Sequence, residues 1–229
     1  MYYTPRTIAF LCELLHPPQA PDAQALQRVH NQLFGEAAPL YGSFHVTPDG
    51  AVLSNAQSQP GAVSSVAFLK DRLQFREELT GLTLEDFAER VRRVTELTLQ
   101  ERQLPLFPAQ VVTLRSLVNP ASARDSRGFL KSSVFGFEDE LAGFGVEPQL
   151  YGLRLVFPAT PESPQLFTLR VESYASDPRS IFVENQGSFG PIVPARGLEP
   201  VEANLRTAYA FIVDRVLPFL SKFEGREPS

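Results

Sequence analysis

Five arginines, Arg72, Arg76, Arg115, Arg154 and Arg170, carry the chemistry this sequence best supports. Leu73 and Phe75 alternate with Arg72, Gln74 and Arg76; Leu114 and Val118 share a stretch with Arg115; Leu153 and Leu155 flank Arg154; Leu169 and Val171 flank Arg170. A period of two puts the apolar set on one face of a strand and the arginines on the other. A guanidinium is a planar fork of donors that matches a carboxylate or a phosphate. The expected site is a floor of arginines on the uncovered side of a sheet, open to a protein partner or an anionic ligand. Any one-sided sheet turns polar residues outward, and Glu172 and Glu184 dilute the charge on this face. Phe182 shares the face.

Other reactive side chains offer less. The three histidines, His16, His30 and His45, have no partner at metal spacing, and no His-Glu-x-x-His pattern exists. There is no phosphate-cradling glycine loop and no Gly-x-Ser-x-Gly elbow. Cys12 is the sole cysteine and sits in an apolar run, which fits a small buried hydrophobe and leaves no intrachain disulfide or thiolate cluster. The acidic run Glu138-Asp139-Glu140 suits a helix N-terminal turn. No catalytic residue, metal or cofactor is assigned, and the chain reads as a binding protein rather than an enzyme.

Composition sets the bounds. The chain has 229 residues, 43% hydrophobic and 21% charged, with a formal net charge of -5. That is ordinary for a globular protein and excludes a wholly basic nucleic-acid footprint, though not a local patch. No run approaches the roughly 20 apolar residues of a membrane span. The N-terminal apolar run is short, contains Glu13 and lacks a small-residue cleavage site, so a soluble cytoplasmic protein is expected. No oligomeric state follows.

The elements that must hold the arginines alternate between strands and helices. Strands are predicted over 7–15, 40–47, 51–55, 63–70, 72–77, 109–118, 149–157, 166–174 and 180–185, with 187–194 as loop. Pro21 and Asp22 open a helix with Leu26, Val29, Leu33 and Phe34 on one stripe, and Gly35 stops it. His30 falls on that stripe as a packed or half-exposed ring. Thr83 caps a long helix with Asp86 in the reciprocal position. Its polar face pairs Asp86 with Arg90 and Glu89 with Arg93, four apart, as a solvated face. A helical segment broken near Gly136 covers 126–141. A last helix follows Gly197-Leu198, with Pro218 kinking or splitting it, and 225–229 form a loose tail.

The order repeats. Leu11, Leu14 and Pro17 match Leu114, Leu117 and Pro120; Phe34-Gly35 answers Phe135-Gly136; Leu40-Tyr41-Gly42 answers Leu150-Tyr151-Gly152; Gly81-Leu82 answers Gly197-Leu198. These landmarks divide the chain into α+β units at 1–104 and 105–229, each a strand, a helical segment, three or four antiparallel strands and a long helix. The helices should pack on one face of a curved antiparallel sheet, and the two units should form one pseudo-symmetric body. The apolar parity differs between copies by one residue, as a bulge in one copy or an alignment off by one would cause.

A long helix across a curved antiparallel sheet is the helix-grip arrangement, and doubled it resembles the saddle of TATA-binding proteins. That likeness lies in element order and transfers no function. The duplication and the same arginines motivate nucleic-acid binding on a saddle-like sheet as an alternative, and a cavity between helix and sheet, for a small molecule or an enzyme reaction, is another. The segments 10–17, 71–75 and Leu114-Arg115-Ser116-Leu117-Val118-Asn119 are similar to a sporadically distributed prokaryotic family of uncharacterised proteins. Ser116 and Pro120 stand where that family usually has an aromatic and an arginine. The resemblance implies no particular activity.

Overall fold

The computed structural model describes residues 3–137 and 140–225. Glu138 and Asp139 of the acidic run, and residues 226–229 of the tail, lie outside the described residues. The strands are β1 (Arg6–Leu15), β2 (Ser43–Thr47), β3 (Gly50–Ser54), β4 (Val63–Leu69), β5 (Arg72–Glu78), β6 (Ala109–Val118), β7 (Gly152–Phe157), β8 (Leu166–Ser173) and β9 (Ile181–Phe189). They form one open antiparallel sheet in the order β2-β3-β4-β5-β1-β6-β9-β8-β7. β1 and β6 are adjacent at its centre. From each of them the chain crosses to an outer edge and returns strand by strand.

The helices are α1 (Ala23–Phe34), α2 (Leu84–Glu101), the short α3 (Ser126–Gly128) running into a π-helical stretch (Phe129–Phe135), α4 (Glu199–Phe211) and α5 (Leu217–Ser221). Local chemistry fixes their ends. Asp22 accepts a hydrogen bond from the Ala25 amide at 2.9 Å, and the capping box of Thr83 and Asp86 is formed in both directions. Proline at 218 has no N–H to donate, and the helix widens to π geometry over Ile212–Val216 just before it, then resumes as α5. No helix among the described residues is long and apolar enough to cross a membrane.

The fold is α+β, with the helices gathered over one side of the sheet. Burial alternates along β5 and β8 and along most of β1 and β6. Phe10, Cys12 and Leu14 of β1, Leu73 and Phe75 of β5, Val112 and Leu114 of β6, Leu169 and Val171 of β8 and Val183 of β9 are buried. They meet Phe87, Val91 and Val94 of α2 and Val201, Leu205 and Ala208 of α4 in one continuous core. Burying each such side chain contributes about 1.5–3 kcal/mol, and this drive sets the register.

Two sequence expectations are corrected. β9 runs on to Phe189, where a loop was predicted from Gly187. Gly187 does not break the strand; a Cβ there would lie 2.8 Å from the Phe189 ring and 2.9 Å from the Phe167 ring, so the glycine makes room for two aromatics. The polar side of α2 pairs within itself at Arg92 and Glu96, not at the two pairs expected from the sequence. Neither Asp86–Arg90 nor Glu89–Arg93 is an ion pair among the described residues; Arg90 pairs with Glu77 of β5, and Arg93 with Glu36 at 2.6 Å. A carboxylate buried on β5 needs a cation, and α2 supplies it.

Pro48-Asp49-Gly50 joins β2 to β3. Gly50 has φ of 151°, and a Cβ there would fall 1.8 Å from the Phe68 carbonyl oxygen.

Candidate functional site

The five arginines all stand on the side of the sheet away from the helices. Their parity follows from the register: Arg72 and Arg76 of β5 oppose Leu15 and Leu11 of β1, while the buried Leu73 and Phe75 oppose Leu14 and Cys12. Five strand pairings link Glu78, Ala9, Arg115, Glu184, Arg170 and Arg154 into one row on consecutive strands from β5 to β7.

Four of the five are already neutralised. Arg115 donates to Glu184 at 2.7 Å and lies 3.8 Å from Glu78. Arg76 pairs with the same Glu78. Arg170 lies 3.6 Å from Glu184 and 3.8 Å from Glu172. Arg72 is held by Asp71 at 3.0 Å and Glu13 at 3.5 Å, and Gln74 donates to Glu13 at 2.6 Å. The bond from Arg72 holds the Asp71 carboxyl below its ordinary range. Arg154 is exposed and has no carboxylate within 4 Å among the described residues; its cross-strand neighbour is Arg170.

The face is therefore a ladder of alternating charge, not a cationic floor. Such half-exposed pairs are each worth under about 1 kcal/mol, so their role is to define a charge pattern. Beside the ladder, the Arg170 guanidinium lies 5.0 Å over the Phe182 ring, and Tyr174 stacks on that ring at 6.0 Å. Phe182 is thereby buried on the outer face.

A second polar cluster lies between sheet and helix. Glu77 follows Leu73 and Phe75 on the inward parity of β5 and is 1% exposed. Arg90 reaches it from α2, and Ser64 of β4 donates to it at 2.9 Å. Asn55 donates to Ser64 at 3.0 Å and to the Leu40 carbonyl at 2.7 Å. The Arg90 guanidinium lies 5.5 Å over the Tyr41 ring. Burial pushes the Glu77 carboxyl up, more than Arg90 and Ser64 pull it down. Glu77, Ser64, Asn55 and Arg90 line an open cavity of about 210 Å³. Glu77 Oε2 and the Tyr41 hydroxyl are buried without a hydrogen-bond partner.

Sequence reasoning missed Glu77, and it also missed Glu13 and Glu78 on the outer face. The signal was present: Glu77 holds an apolar parity, and Glu13 and Glu78 hold the arginine parity. Cys12 is fully buried with its thiol pushed up to about 12 by that burial, which fits its reading as a small hydrophobe. His16 is buried, His30 packs between the rings of Phe34 and Phe44 at 5.8 Å, and His45 is exposed. Among the described residues no group of three His, Cys, Asp or Glu could hold a metal ion. Compared with known proteins, the chain matches no family model and no curated protein.

Proposed function

We propose that this chain is a non-enzymatic interaction protein that holds a protein partner on the helix-free face of its sheet. The charge ladder carries the reading. A surface of alternating, pre-paired charges with an aromatic anchor suits a partner that presents its own mixed charges, and it gives specificity more than raw affinity. It suits a polyanion poorly, because neutralising phosphates needs several unpaired cations. The saddle-like nucleic-acid reading is therefore set second to protein binding; a gel shift at low salt that retains nucleic acid would restore it. The test of the first reading is charge reversal at Arg115 and Arg154 followed by capture of partners from the native host. Loss of capture supports the face; unchanged capture removes the arginines from the account.

One observation favours a further reading, a small polar ligand in the cavity beside Glu77. Its support is the buried Glu77 Oε2, which has no hydrogen-bond partner and belongs to a residue of the cavity wall. Mass spectrometry of the protein denatured after purification tests it: a stoichiometric small molecule supports it, and none counts against it. We also infer that the two halves descend from one duplicated unit, which the matching outward strand orders from β1 and β6 support.

A further inference from the structure

We infer that the open edge of β7 is the docking site for an extended segment of a partner protein, one carrying a carboxylate between two apolar residues. This rests on the protein-binding reading above and makes it specific to one strand.

Three observations converge on β7. It is one of the sheet's two edge strands and pairs only with β8. An edge strand presents a row of unpaired backbone donors and acceptors, which proteins usually blunt with proline, lysine or a bulge. The segment Gly-Leu-Arg-Leu-Val-Phe, residues 152–157, contains neither residue, and its register with β8 is unbroken.

The second observation is charge. Along the row Glu78, Ala9, Arg115, Glu184, Arg170, Arg154, carboxylates and guanidinium groups alternate around Ala9 until the last step, where Arg154 follows Arg170. Each of the other four outward arginines has a carboxylate within 4 Å. The position that continues the row beyond Arg154 belongs to a strand this chain does not supply, and a carboxylate there would restore the alternation.

The third is the apolar side. Residues on either side of that carboxylate would turn to the opposite face, next to Leu153 and Leu155. There Leu155 and Phe157, 39% and 38% exposed, join Phe211, Val216 and Phe219 around an open groove of about 430 Å³. Backbone pairing would supply affinity and the alternate side chains selectivity, the mode known as β-augmentation.

A second copy of this chain fits less well. Residues 152–157 contain no acid, so self-pairing would set Arg154 against itself or an apolar residue; β2, Ser-Phe-His-Val-Thr, supplies no acid either.

The test uses the full chain and three labelled nine-residue peptides of alternating Thr and Leu, with glutamate, glutamine or lysine at the centre of the Thr face. Fluorescence anisotropy should show the glutamate peptide binding about tenfold tighter than the glutamine peptide, as a charge-assisted bond gives. Arg154→Gln should bring the two within about threefold, and Arg154→Glu should transfer the preference to the lysine peptide. Arg154 is exposed, so both variants should keep the wild-type Tm, which is measured alongside. Equal binding of glutamate and glutamine peptides, a preference that survives Arg154→Gln, or no binding at millimolar peptide would each overturn the edge assignment. If these fail while Arg115→Glu still abolishes partner capture, the face reading stands and only the edge is lost.

Discussion

Tyr41 and Tyr151 stand in the same tripeptide, Leu-Tyr-Gly, and each has an arginine over its ring, but their surroundings differ. Arg90 lies 5.5 Å over Tyr41 and pairs with Glu77, whose side chain is 1% exposed. Arg127 lies 6.0 Å over Tyr151 and faces Glu147 at 3.8 Å, whose side chain is 55% exposed. The carboxylate of the first cluster is buried under α2, beside an open cavity; that of the second stands in water. The outer strands are more alike. α1 buries Leu26, Val29 and Leu33 over β2 and β3, yet Val46 of β2 is exposed, as are Leu155, Val156 and Phe157 of β7. One element order has been used to bury the carboxylate of the first tyrosine cluster against α2 and to leave that of the second exposed, while both edge strands keep an open side.

The comparison breaks first at Arg90. Arg90→Ala leaves Glu77 buried without its cation and should cost about 3 kcal/mol or more in denaturant unfolding, while Arg127→Ala should leave the midpoint nearly unchanged. Equal losses would show that the two tyrosine clusters are equally closed. Next come the edges. Leu53, fully buried on β3, should lose about 2–4 kcal/mol on truncation to alanine, and Leu155 under about 1 kcal/mol. A larger loss at Leu155 would mean that β7 is covered in solution. Asp22→Ala should cost about 1 kcal/mol by uncapping α1, read as a lower Tm.

The smallest effect is a slope. His16 is buried, and burial lowers its pKa below 6.5 despite the bond between Nδ1 and the Pro17 carbonyl. Below pH 6.5 the unfolded chain takes up the proton and the native state resists it, so this contribution is present above that pH and is lost as pH falls. Unfolding titrations from pH 7 to pH 5 should show wild type losing more stability than His16→Gln; parallel curves would remove His16 from the pH dependence.

Much of this was legible in the sequence. Alternation in β5, β6 and β8 placed the arginines outward, because burial on one side makes a one-residue slip costly. Thr83 with Asp86 and Asp22 gave the helix starts. The partners of those arginines were harder to see, since Glu13, Glu78 and Glu184 reach them only across strand neighbours that are distant in sequence. Arg90 was misplaced because a four-residue spacing to Asp86 on paper competes with a buried carboxylate on β5. Gly187 was taken for a break, although its missing side chain is what lets Phe167 and Phe189 approach. The openness of β7 was not legible, because it depends on where α5 and the π-helical stretch Phe129–Phe135 come to rest.

The most direct measurement is an amide chemical-shift titration of the labelled full chain with the glutamate-centred peptide. The account expects shifts concentrated on Gly152–Phe157 and the neighbouring Phe211, Val216 and Phe219, and none along Ser43–Thr47. Shifts centred on β2, or on the Glu77 cavity, would contradict it.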